Sequence, residues 1–154
     1  MKPSFACGWA GRFAGEVSPG EVLEAVAAVH PSFEITETRG DPAQIALMLA
    51  DNAQQRSVIL GEPVALTPAL RLDQVEARVE LNGTVVATGV GAAVLDHPLN
   101  SVAWLARKLS QYGRSLRAGE LVMTGSLVRQ FPLAPGDRAW ASFSGVGTVE
   151  VGVA

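Results

Sequence analysis

Between Val75 and Leu81 the chain alternates strictly. Val75, Ala77, Val79 and Leu81 are apolar, and Glu76, Arg78 and Glu80 are charged. A period of two predicts a strand with one face in the core and one in water. Asn82-Gly83 comes next, and then "TVVATGVG". Asn-Gly tolerates the positive φ of a two-residue turn, so the two segments predict a β-hairpin. "HPSFEITET" alternates too: Phe33 and Ile35 share one face, and Glu34 and Thr36 share the other. "SVIL" (57–60) reads as a buried-type strand ended by Gly61 and Pro63, and "ELVMTGSLV" as a strand running into Thr124-Gly125-Ser126. The closing "LAPGDRAWASFSGVGTVEVGV" predicts a turn at 135–137 and two strands joined around Gly145 and Gly147.

Helical spacing appears in three places. "SPGEVLEAVAAV" opens with Ser18, Pro19 and Glu21, the pattern of a capping box, and its valines predict a helix to about Val29. "DPAQIALMLADN" is a second capped start at Asp41, short and apolar enough to expect burial. "NSVAWLARKLSQYG" places Val102, Leu105, Ala106 and Leu109 on one stripe, with Asn100 or Ser101 as cap and Gly113 at the end. Trp104 and Tyr112 on this helix read as core and rim. Strands outnumber helices, so the expectation is one α+β domain over residues 1–154. Its sheet is mixed, mostly antiparallel and bent, with two or three helices.

Composition narrows the function. With 154 residues, 48% of them hydrophobic and 18% charged, the chain can bury a core. The net charge is −3 and no Lys/Arg stripe exists, which argues against nucleic acid or an anionic membrane surface as partner. No apolar run approaches the ~20 residues of a membrane-spanning helix. The single Cys7 excludes an internal disulfide and a multi-cysteine zinc site, and two histidines exclude a histidine metal cage. A cytoplasmic protein is expected.

Candidate chemistry is sparse. Thr124-Gly125-Ser126 could hold a carboxylate or enolate oxygen, although a strand-ending turn explains it as well. Asp51 and Asn52 end an apolar helix, where Asn52 is either a ligand group or a helix cap. His97 and His30 each precede a proline and read as loop residues. A Ser126–His97–Asp51 triad has no support from spacing. "GVGAA" (89–93) lacks the third glycine and following helix of a dinucleotide site, so close packing explains it better. Oxygen ligands for a divalent ion would come from Glu34, Glu37 and Asp51, yet no two carboxylates of the Glu34 strand share a face.

Taken together, "PSFEI", "LADNA", "LNGTVVATGVGAAVLDHPLNSVAWLARKLSQYGRSLRAGELVMTGSL" and the closing "PGD" strands resemble the fumarylacetoacetate hydrolase superfamily. The similarity is to the branch of 2-oxopent-4-enoate hydratases and 4-oxalocrotonate decarboxylases, and it runs from about Phe13 to the C-terminus. It implies the mixed β-roll of that family around a divalent-cation site, where Mg²⁺ or Mn²⁺ holds a 2-oxo acid and stabilises its enolate. The family's third metal carboxylate falls on Glu34. Its hydroxyl segment falls on Thr124, Gly125 and Ser126, and its Asp-Asn-Ala segment on Asp51-Asn52-Ala53.

The sequence also departs from the family. The catalytic-lysine region has no counterpart here. The Glu-x-Glu metal pair falls in "FACGWAGRF", with Cys7 and Trp9 as nearest counterparts, and that stretch contains no carboxylate. Two of three metal carboxylates are missing. The expected function is therefore lyase-like, acting on a small 2-oxo acid or enolisable compound, with metal-independent chemistry open. Glu34 and Ser126 would be catalytic. Asp51, Asn52, Thr124, Gly125 and Trp9 would bind substrate, and Glu34 would hold any metal. The alternative is a non-catalytic homologue, a partner subunit or binding module. A homodimer or a complex with a related subunit is expected.

Overall fold

The computed structural model describes residues 1–9, 17–41 and 43–154. In chain order the elements are β1 (Lys2–Trp9), α1 (Pro19–Ala25), β2 (Val26–Thr36), α2 (Ile45–Ala50), β3 (Gln55–Leu60) and β4 (Val64–Ala65). The hairpin β5 (Glu76–Leu81) and β6 (Thr84–Val90) comes next, then α3 (Pro98–Ser110), β7 (Leu121–Ser126), β8 (Arg138–Phe143) and β9 (Gly147–Gly152). The expected bent sheet is resolved into two sheets. One has the order β3-β2-β1-β7 with β4 on β2, and the other has the order β6-β5-β8-β9. Their pairings are antiparallel.

The hairpin forms where the alternation placed it. Asn82 and Gly83 have φ of 51° and 79°, the left-handed conformations that the tight turn requires. Val75, Ala77 and Val79 are buried, as are Ala139 and Ala141 on the neighbouring β8. The two sheets share a core containing Phe5 of β1 and Phe143 of β8, whose rings lie 5.3 Å apart and tilted by 52°. Such a pair adds about 1 kcal/mol beyond its area. Gly91 packs so closely that an added Cβ would run into the Leu72 carbonyl oxygen. Close packing is thus the role of "GVGAA".

Three local expectations change. The Ser18–Glu21 capping box is present, but α1 stops at Ala25 and not at Val29. Val26 and Val29 instead pair with Trp9 and Cys7 of β1, so tertiary pairing takes over from helical spacing. The α2 helix is exposed, not buried: Ile45, Leu47 and Leu49 are 64%, 52% and 64% accessible. Asp41 accepts the Ala43 N–H at 2.9 Å but does not cap α2, which begins at Ile45 after Gln44 with no side-chain capping bond; Pro42 lies outside the described residues. The cap of α3 is His97, whose Nδ1 accepts the Leu99 N–H at 3.1 Å, while Asn100 lies inside the helix. Val102 and Ala106 are buried as the stripe requires, whereas Trp104 and Tyr112 face solvent. The strand 57–60 is half-exposed and pairs with β2. Among the described residues no helix is long and apolar enough to cross a membrane.

Candidate functional site

The β1–β2 register builds the site. Lys2 stands opposite Glu34, Ser4 opposite Ser32, and Ala6 opposite His30. Paired residues of an antiparallel ladder share a face, so these six point the same way. The intervening residues Pro3, Phe5, Cys7, Pro31 and Phe33 point into the core. Glu34 therefore sits on the face away from Phe33, as the alternation indicated. Its side chain is 25% accessible, and its Oε2 lies 3.7 Å from Lys2 Nζ.

On the other side of β1, Ser126 pairs with Ser4 and Met123 with Ala6, with an irregularity between them at Thr124–Gly125. Bulges of this kind re-aim strand groups. Ser4 Oγ donates to the Gly125 carbonyl at 2.6 Å and receives the Gly125 N–H at 3.2 Å. Ser32 Oγ donates to the Ser4 carbonyl at 2.8 Å. Thr124 Oγ1 donates to the Phe5 carbonyl at 3.3 Å, and Ser126 Oγ to the Val128 carbonyl at 2.6 Å. A hydroxyl that donates to the backbone keeps its lone pairs, so Ser126 Oγ is left with acceptor capacity only.

The structure gathers Glu34, Thr124, Gly125 and Ser126 around β1. Asp51 and Asn52 lie elsewhere, beyond the end of the β2–β3 ladder. Residues 52–54 run through three left-handed conformations there, and Asp51 accepts from Arg39 Nε at 2.9 Å. Asn52 Nδ2 donates to Gln55 Oε1 at 2.9 Å. Asp51 lines a separate cleft of about 230 Å³ with Arg39, Gly40, Asp41, Leu47, Met48 and Gln54. Trp9 is 2% exposed and belongs to the core.

His97 is committed elsewhere. Its Nδ1 caps α3 and its Nε2 lies 3.9 Å from Asp73 Oδ1, so it does not serve Ser126. Burial lowers its pKa, and Asp73 pulls in the opposite direction. Burial alone pushes the Cys7 thiol up to about 12.

A resident divalent ion at Glu34 does not fit these residues. Its register partners are Lys2 on β1 and Val58 on β3, and neither offers an oxygen ligand. A doubly charged ion ~4 Å from an ammonium would be repelled by about 2 kcal/mol even with the screening of bulk water. Among the described residues, no three His, Cys, Asp or Glu side chains converge on a metal position.

Residues 9–154 match the family described as fumarylacetoacetate (FAA) hydrolase C-terminal. The chain belongs to that family. It is 38% identical over 132 residues to a 4-oxalocrotonate decarboxylase of Pseudomonas putida, covering 84% of this chain and 50% of that protein. It is 40% identical over 131 residues to a 2-keto-4-pentenoate hydratase of Paraburkholderia xenovorans (strain LB400), covering 84% and 49%. Among solved structures, 4-oxalocrotonate decarboxylase from Pseudomonas putida G7, complexed with magnesium and adipate, superposes with a TM-score of 0.92 at 32% identity. That superposition covers 99% of this chain and 59% of that one. The chain thus spans about half the length of the curated relatives it matches.

The register changes which positions oppose Glu34 in this fumarylacetoacetate hydrolase relative. Lys2 takes that place, with Ser4 next along the same face opposite Ser32, whereas Cys7 and Trp9 pair with Val29 and Val26. Residues 10–16, which include the second half of "FACGWAGRF", lie outside the described residues. Sequence reasoning missed His30, Ser32, Ser4 and Lys2 as members of this face. A signal for two of them exists, because His30, Ser32 and Glu34 are successive alternate positions of one strand.

Proposed function

We propose that this chain carries out lyase-type chemistry on a small 2-oxo acid, of the hydratase or decarboxylase kind, by way of an enol. The observation that carries this reading is the accessible Glu34 carboxylate on the β1–β2–β7 face, in a chain 38% and 40% identical to a decarboxylase and a hydratase. In this reading Glu34 moves a proton between the enol oxygen and carbon, as a general acid and base. Ser126 accepts the enol hydroxyl hydrogen bond, and Thr124 and Gly125 hold the bulge that places it. Asp51, Asn52 and Trp9 are kept as binding candidates only through the family resemblance. Aromatic catabolism in the cytoplasm is the setting that suits such substrates.

The test is turnover of 2-keto-4-pentenoate and 4-oxalocrotonate, followed by ultraviolet absorbance, for the wild type and Glu34→Gln. The reading expects wild-type turnover and a loss of 10²-fold or more in the variant. Equal rates in the two proteins would remove Glu34 from the chemistry, and a wild type silent on both compounds would remove the substrate assignment.

We also propose that the chain works as a homodimer or with a related subunit. The support is the exposed apolar side of α2, with Ile45, Leu47 and Leu49. Sedimentation that gives a monomer alone, and with a candidate partner, would refute this.

A further inference from the structure

The mismatch between Glu34 and a divalent ion has a specific cause, and the cause points to a ligand. Glu34 has two ladder neighbours, Lys2 and Val58. Next to Lys2 along its face comes Ser4, whose hydroxyl hydrogen is engaged by the Gly125 carbonyl. So the ladder partners of Glu34 bring it an ammonium and no second carboxylate. The ammonium is 3.7 Å from Oε2, near enough to balance Glu34, and the Lys2 side chain is 33% accessible, open enough to meet a second anion. A lysine ammonium has three rotatable donors, so one carboxylate partner does not saturate it.

We infer that Lys2 is the cation of this site: a tethered ammonium that occupies the place beside Glu34 where a divalent ion would sit, and that binds an anionic oxygen of the ligand. The ligand class is a small carboxylate or enolate. The identification of that anion as a 2-oxo acid rests on the proposed function, whereas the exclusion of the metal and the anion site rest on the register and on the Lys2–Glu34 geometry. A point charge on a flexible stem can follow an oxygen as its charge grows.

Two binding measurements test this without any turnover. In the first, Mn²⁺ is titrated into wild type, Lys2→Glu and Glu34→Gln, with free Mn²⁺ read by electron paramagnetic resonance. Wild type is expected to bind at least tenfold more weakly than Lys2→Glu, which sets two carboxylates opposite each other. Wild-type binding as tight as that of Lys2→Glu, and lost in Glu34→Gln, would overturn the inference. So would a folded Lys2→Glu that gains no affinity, because Lys2 would then not be what keeps the ion out. In the second, oxalate is titrated calorimetrically in chelator-containing buffer. Wild type is expected to bind it, and Lys2→Gln, which keeps the size and loses the charge, to bind at least tenfold more weakly. Equal affinities, or no wild-type binding, would overturn the anion site. Both results as expected with no turnover of either 2-oxo acid would leave Lys2 assigned and remove the proposed substrates.

Discussion

Lys2 and Glu34 face each other across the β1–β2 ladder, with Nζ 3.7 Å from Oε2. Both side chains keep a quarter to a third of their surface in water, so the pair contributes only ~0–1 kcal/mol to folding. Stability and chemistry therefore separate at this position. Glu34→Gln is expected to leave the melting temperature within about 3 °C of wild type. The same variant should lose 10²-fold or more in kcat. Calorimetry and steady-state kinetics on one preparation check both, and a large drop in melting temperature would make Glu34 a structural residue first.

Much of this face was legible in the chain. Alternation put Glu34 opposite to Phe33 and predicted the 75–90 hairpin, and helical spacing marked Val102 and Ala106 as buried. Which residues Glu34 would meet was not legible, because the β1–β2 register is a long-range pairing set by tertiary packing. Phe5 and Cys7 must reach the core, and a slip of one residue would turn Lys2 and Ser4 inward. The same packing moved the end of α1 from Val29 to Ala25. The exposure of α2 was unreadable for another reason: apolar composition reports what a segment can bury, not what is there to cover it. Asp51 and Asn52 were named as site residues by resemblance; residues 52–54 are left-handed, and Asp51 lines a cleft with Arg39 and Met48, an arrangement that no spacing in the sequence announces.

His97 gives a pH dependence with a definite sign. Its Nδ1 must be unprotonated to cap α3, and burial lowers its folded-state pKa below the usual 6.5. A lowered pKa for a base means that the folded state binds fewer protons than the unfolded state. Its contribution is then fully present above about pH 6.5 and is lost as pH falls through the lowered value. His97→Asn keeps a capping acceptor without titrating, so its stability should be flatter across this range. His97→Ala should cost about 1 kcal/mol at neutral pH. Urea denaturation of the three proteins from pH 5 to 8 measures both effects.

Cys7 should be inert while the protein is folded. It is fully buried on the core face of β1, with its thiol pushed up to about 12. Only the thiolate reacts readily, so native labelling by iodoacetamide at pH 8 must wait for opening of the sheet. The raised value also costs stability in alkali. An unfolded cysteine ionises near 8.5, so the advantage of the neutral thiol in the fold is present below that pH and is lost as pH rises from there toward 12. The expected labelling rate tracks the unfolding equilibrium, increasing with urea in step with loss of circular dichroism. Fast labelling without urea would mean that β1 opens locally.

Gly83 and Gly91 separate two reasons for a glycine. At Gly83 the φ is 79° and an added Cβ would meet no atom within 4 Å. Only the left-handed backbone opposes a side chain there, so Gly83→Ala should cost about 1–2 kcal/mol. At Gly91 the obstacle is backbone: a new Cβ would overlap the Leu72 carbonyl oxygen and lie 2.8 Å from its carbonyl carbon. Leu72 is fully buried, and Gly91 N–H is itself bonded to the Val75 carbonyl at 2.9 Å, so neither side can retreat cheaply. Gly91→Ala should therefore cost about 3 kcal/mol or more. At this chain length that corresponds to a fall in melting temperature of roughly 6–12 °C. Thermal unfolding of the two variants side by side checks the order, and a milder effect at Gly91 than at Gly83 would mean that the 72–75 segment yields to the new side chain.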